Sequence, residues 1–245
     1  MMRFVYAALV FCACGGKSGG GGGGGGGSPD APGSSIDAPV NVPATITNSG
    51  TVVEKSTSGS TPVGSATVVA KNSSDDSMVA TATTNGSGDF TLTVTTNGQP
   101  LDGYLDVTDG SDVETFVYPP APIGADYTGA PVQMVTQATI NELPILTSVT
   151  QSPSDALLGL EVVNGSGAPV SGATVTTTPA GSVFYDSSGG LPTKTQKTTN
   201  TDGVVFVFNV APGSVSVMAT GSGDTFKTHS ITARAAVVTE TLITE

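Results

Sequence analysis

Pro62-Val63-Gly64-Ser65-Ala66-Thr67-Val68 returns 107 positions later as Pro169-Val170-Ser171-Gly172-Ala173-Thr174-Val175. Thr84-Asn85-Gly86-Ser87-Gly88-Asp89-Phe90 returns 115 positions later as Thr199-Asn200-Thr201-Asp202-Gly203-Val204-Val205. Two matches in the same order mark a duplication, and the unequal offsets place about eight extra residues between them in the second copy. These fall around Phe184-Tyr185-Asp186-Ser187-Ser188-Gly189-Gly190-Leu191-Pro192, whose composition reads as a surface loop.

Working outward, each copy opens on a β-branched run, Gly50-Thr51-Val52-Val53 or Gly159-Leu160-Glu161-Val162-Val163. The proline of the repeat presets φ for a turn, and the alternation after it makes a half-buried strand. Asn85-Gly86-Ser87-Gly88 and Thr201-Asp202-Gly203 are hairpin signals, because these residues tolerate positive φ. Asp89-Phe90-Thr91-Leu92-Thr93-Val94 and Val204-Val205-Phe206-Val207-Phe208-Asn209-Val210 follow, with Phe90, Phe206 and Phe208 expected in the core. Ala211-Pro212-Gly213-Ser214-Val215-Ser216-Val217 turns copy two into a closing strand. Short strands at this spacing predict a β-sandwich for each copy.

These residues resemble the carboxypeptidase-regulatory-like family of small β-sandwiches, related in fold to transthyretin and to bacterial Ig-like modules. Its opening strand, Pro-Val-x-Gly-Ala-x-Val stretch, Asp-Gly hairpin and Pro-Gly closing strand all have counterparts in copy two, over roughly Leu158 to Ile243. Copy one departs at the fourth, where Asn97-Gly98-Gln99-Pro100-Leu101-Asp102-Gly103-Tyr104 stands instead. The resemblance implies an accessory module without activity. The predicted fold is mainly β: two Ig-like or prealbumin-like sandwiches in tandem, 44–130 and 154–245, joined by a connecting segment, 131–153. Within that segment Met134–Leu143 is the helix candidate, with capping-box spacing at Thr139 and Glu142 and Pro144 set to break it. Tyr118-Pro119-Pro120-Ala121-Pro122 reads as extended and edge-like.

The chain begins with Met1-Met2-Arg3 and an apolar run from Phe4 to Ala13. A membrane-spanning helix needs roughly 20 apolar residues, so residues 1–13 read as an export signal. Phe11-Cys12-Ala13-Cys14-Gly15 resembles the lipobox of bacterial lipoproteins, which implies lipidation of Cys14 and cleavage before it. Phe11 replaces the family's usual leucine. Both cysteines, Cys12 and Cys14, lie in this segment, which leaves the folded part without a disulfide framework. Gly19–Gly27 and the proline-containing stretch after it predict a disordered tether over 14–43. Gly15, where retention in the inner membrane favours aspartate, points to the outer membrane or the cell surface.

Eight basic against 20 acidic residues give a net charge of −12, and no Lys/Arg cluster supplies the footprint of nucleic-acid binding. No cofactor is expected. His229, the single histidine, sits in an alternating strand, and no nucleophile elbow accompanies the many serines. Zinc sites of the usual kinds lack ligands. For calcium, Asp75-Asp76, Asp106, Asp109, Asp112, Glu114 and Asp186 supply oxygens, but without metal-loop spacing, so no metal is expected either. Tyr104, Phe116, Tyr118 and Tyr127 lie close in sequence and form the candidate ligand surface. The expected role is therefore that of a non-enzymatic envelope lipoprotein, held to the membrane by the Cys14 lipid, whose sandwiches serve structure or engage an envelope protein. A carbohydrate-binding accessory module is the alternative, and a hydrolase comes third.

Overall fold

The computed structural model describes residues 41–56, 59–187, 191–221 and 223–245. The signal, Cys14 and nearly all of the tether lie outside them. Copy one comprises β1 (Thr45–Ser56), β2 (Gly59–Pro62), β3 (Thr67–Asn72), β4 (Met78–Thr83), β5 (Asp89–Thr95), β6 (Gly103–Thr108), β7 (Thr115–Tyr118) and β8 (Tyr127–Val135). Two short helices follow, α1 (Gln137–Glu142) and α2 (Pro144–Thr147). Copy two comprises β9 (Ala156–Val163), β10 (Thr174–Thr178), β11 (Ser182–Asp186), β12 (Pro192–Thr193), β13 (Val204–Val210), β14 (Gly213–Thr220), β15 (His229–Ala233) and β16 (Val238–Thr244).

The duplication holds at the level of single hydrogen bonds. Val52 N–H donates to Gly88 C=O at 2.9 Å, and Val162 N–H to Gly203 C=O at 3.0 Å. Ala66 N–H donates to Thr84 Oγ1 at 2.8 Å, and Ala173 N–H to Thr199 Oγ1 at 2.9 Å. In copy one, β1 pairs antiparallel with β5 and parallel with β8. In copy two, β9 pairs antiparallel with β13 and parallel with β16. The fourth family element, missing from copy one by sequence, is present as β6, which pairs with β3 as β14 pairs with β10.

The copies are not separate bodies. A nine-stranded sheet runs β12-β11-β13-β9-β16-β7-β6-β3-β4 through both. β16 sits in the middle, parallel to β9 on one side and to β7 on the other. Side chains alternate across a strand, so opposite faces of this sheet serve the two sandwiches. Leu105, Val107 and Val68 point to the face that packs on β1, β5 and β8. Tyr104, Phe116 and Tyr118 point the other way, into the core under β10, β14 and β15. The helices cover the remaining face of the second half through Ile140, Leu143, Leu157, Phe208 and Val238.

Three expectations need correction. β8 takes Met134 and Val135, so the helix starts later, with Thr136 as its N-cap accepting from Thr139 N–H at 3.0 Å. Pro144 does break the helical run: α1 ends at Glu142 and Pro144 opens α2, where its missing N–H costs nothing in a first turn. Residues Ser182–Asp186 form a strand on β13, with Tyr185 buried, not a surface loop. Tyr118 ends β7, an interior strand between β6 and β16, so its stretch is not an edge.

Candidate functional site at the seam

The seam is built by the pairing of β16 with β7, in which Thr239 faces Phe116 and Thr241 faces Tyr118. Thr241 Oγ1 donates to Tyr118 C=O at 2.9 Å. Its one proton being used there, it accepts from His229 Nδ1 at 3.0 Å. Burial lowers the pKa of His229, so the ring is a neutral seam component. The expected open strand histidine is thus half-buried and engaged.

Three of the four predicted aromatic residues meet here. Tyr104 and Tyr118 stack at 4.8 Å, and Tyr104 meets Phe116 at 4.9 Å. Their exposures are 2%, 5% and 1% for Tyr104, Tyr118 and Phe116, so they present no ring face to a ligand. Copy two covers them, and Arg234 lies 5.1 Å above the Phe116 ring. Arg234 also pairs with Asp76, which accepts from the Tyr104 hydroxyl at 2.6 Å. Burial and the Asp76 bond both push the Tyr104 hydroxyl up in pKa, while Tyr104 and Arg234 hold Asp76 down. Tyr127 goes elsewhere: it packs on the first core, and burial raises its pKa to about 12.

Copy two blocks a strand edge of copy one. Glu240 of β16 accepts from Gln133 N–H on the outer edge of β8 at 3.2 Å. Tyr118 of β7 lies in the same buried core as Ile231 and Ala233 of β15. Glu240 is 4% exposed and also acts on Lys55, whose pKa burial lowers and Glu240 raises. Arg234 and Glu240 were not singled out by sequence reading, and Asp76 was weighed only as a calcium ligand. Only Glu240 carries a signal, as a charge inside the run Val237-Val238-Thr239-Glu240-Thr241-Leu242-Ile243.

The acidic candidates disperse. Asp75 and Asp109 cap their own turns through Ser77 and Ser111. Asp106 pairs with Lys71 at 2.6 Å. Burial, Asp109 and Glu54 raise Asp112 to about 6, and burial with Asp106 raises Glu114. Asp186 is fully buried. Among the described residues no group of three or more His, Cys, Asp or Glu is placed to hold a metal ion.

Two cavities border the seam: a cleft of about 210 Å³ between α1 and the turn before β16, and an apolar chamber of about 50 Å³ at Gln133 and Glu240. A third, an open groove of about 520 Å³, lies far along copy one between Met78 and Thr95. What the seam residues accomplish is fixation. They tie two sandwiches together and close the outer edge of β8.

No family model matches the chain, and no curated protein is similar to it in sequence. Among solved structures it is similar to the TIE protein of Bacillus anthracis, at 12% identity and TM-score 0.26, covering 81% of this chain and 34% of that one. The chain thus spans about a third of that protein's length. It is also similar to the shaft pilin SpaA of Lactobacillus rhamnosus GG, at 11% identity and TM-score 0.27, with 82% and 97% covered. The minor pilin GBS52 of Streptococcus agalactiae matches at 13% identity and TM-score 0.26, with 82% and 96% covered. No helix among the described residues is long and apolar enough to cross a membrane.

Proposed function

We propose that this chain is a non-enzymatic lipoprotein of the bacterial cell envelope, held at the membrane through Cys14, and that its two sandwiches act as one stiff module presented to a protein partner. The seam carries this reading. Two modules that share a sheet, with three aromatic rings buried between them and an ion pair at the rim, form a spacer of fixed shape. Inter-domain motion is the default only where such an interface is small and polar. The lipobox-like Phe11-Cys12-Ala13-Cys14-Gly15 and the glycine run behind it supply the anchor and the reach. The strand order shared by both copies supports the carboxypeptidase-regulatory-like resemblance, whose members are accessory modules. A glycan platform finds no support in rings that copy two covers.

Mass spectrometry of the mature N-terminus tests the anchor. A diacylated or triacylated Cys14, lost in Cys14→Ser together with membrane fractionation, is the expected result. An unmodified N-terminus overturns the lipoprotein reading.

A further inference from the structure

An uncapped strand edge exposes a row of backbone donors and acceptors to any extended chain that meets it. This molecule caps several of its edges. On the outer edge of β8, Pro131 has no N–H to offer, Gln133 N–H is taken by Glu240, and Val135 C=O accepts from Val113 N–H at 2.8 Å. The Tyr185 hydroxyl accepts from Val175 N–H on β10 at 2.9 Å. At one end of the nine-stranded sheet, β12 is only two residues long.

The other end is different. β4 has the sequence Met-Val-Ala-Thr-Ala-Thr, with no proline and no charge. Beyond its ladder with β3 it receives no hydrogen bond among the described residues. Met78 there is 66% exposed. β5 faces it from the second sheet of the same sandwich, uncharged after Asp89 and likewise without a partner on its outer side. The two strands meet at the Thr84–Gly88 turn and diverge from it. Where they are farthest apart, the groove of about 520 Å³ opens, with Met78, Val79 and Leu101 on its apolar side and Asn72, Asn97 and Asp102 on its polar side.

We propose that this edge and groove receive an extended, lysine- or arginine-bearing segment of a partner protein by β-strand addition, its backbone pairing with β4 and an apolar side chain entering beside Met78. The proposal deepens the interaction role stated above and rests on it. Main-chain pairing gives affinity in this mode, and the groove beside the edge gives specificity. Charge selects the partner. Asp102 lines the groove, Asp75 lies in the turn that leads into β4, no cation is among the lining residues, and the chain carries −12 overall. A second copy is repelled by that charge, whereas a basic segment is drawn in.

Hydrogen exchange of the full chain, read by mass spectrometry with a short peptide alternating lysine and valine as the probe, tests this. Protection is expected to rise in 78–83 and at Thr95–Asp102. Methylating alternate backbone nitrogens of the probe should weaken binding by about tenfold or more, because each methyl removes a strand-pairing donor. Replacing its lysines by glutamates should weaken it too, and so should Met78→Lys, a change at an exposed side chain that leaves folding intact. Protection elsewhere only, equal binding of the methylated probe, or self-association through β4 seen by sedimentation without the probe overturns the proposal. None of these depends on the state of Cys14, so failure here is separable from failure of the anchor.

Discussion

Gly88 and Gly203 hold φ at +80° and +70°, and a Cβ on either would stand 2.4 Å from Val52 C=O or 2.5 Å from Val162 C=O. Those carbonyls belong to the opening strands, so each glycine sets how close its hairpin lies to the sheet. Gly88→Ala or Gly203→Ala should lose about 1–3 kcal/mol through backbone strain, with the Val52 or Val162 hydrogen bond weakened besides. Urea denaturation gives that number directly. Glu161 lies in β9 with 1% exposure and Oε2 unbonded. Burial, helped by Asp202, raises its pKa from 4.5 to about 9. Between those values the folded state holds the proton that the unfolded chain has released, so stability falls as pH rises. His229, lowered by burial, acts oppositely below its ordinary value of 6.5. Thermal melts of Glu161→Gln should therefore exceed wild type increasingly from pH 5 to pH 8, and parallel curves would show that Glu161 is solvated. Both hairpin glycines were legible in the sequence because a turn writes its demands into a few adjacent residues. Glu161 was quoted as part of a strand, but nothing local says that its face lies under another layer.

Among elements, β16 matters most and was read least well. Its apolar character marks it as buried, but a parallel pairing joins residues more than a hundred positions apart and leaves no turn between them. The same distance explains the aromatic residues. Their proximity in sequence was real, and three of them do cluster, but on a face that only the second copy could cover. At this scale the seam makes two predictions. Thr241→Val removes the hydroxyl that bonds Tyr118 C=O across the seam and His229 beside it, and should cost about 1–2 kcal/mol in urea denaturation. Arg234→Ala removes an ion pair whose side chains are 39% and 48% exposed, together with a contact over Phe116. Exposed pairs contribute about 0–1 kcal/mol and lose strength in salt, so the measured cost should be about 1 kcal/mol and should shrink at high ionic strength. A cost unaffected by salt would assign it to the ring contact alone. The helix misreading has a local cause. Thr136 and Thr139 compete as caps, and β8 settles it by claiming Met134 and Val135.

For the molecule as a whole, the duplication supplies two similar sandwiches and the shared sheet converts them into one body, with β1, β5 and β8 on one face and β10, β14 and β15 on the other. That staggered stacking exposes the β4–β5 side at one extremity and leaves the tether to enter near β1. One body requires one cooperative unfolding event, so calorimetry should give a single transition whose calorimetric and van't Hoff enthalpies agree. The most direct measurement is nitrogen-15 relaxation of backbone amides in both sandwiches. Strands β3 and β6 on one side and β10 and β14 on the other should fit a single anisotropic diffusion tensor. Separate, shorter correlation times for the two sets would contradict the rigid seam.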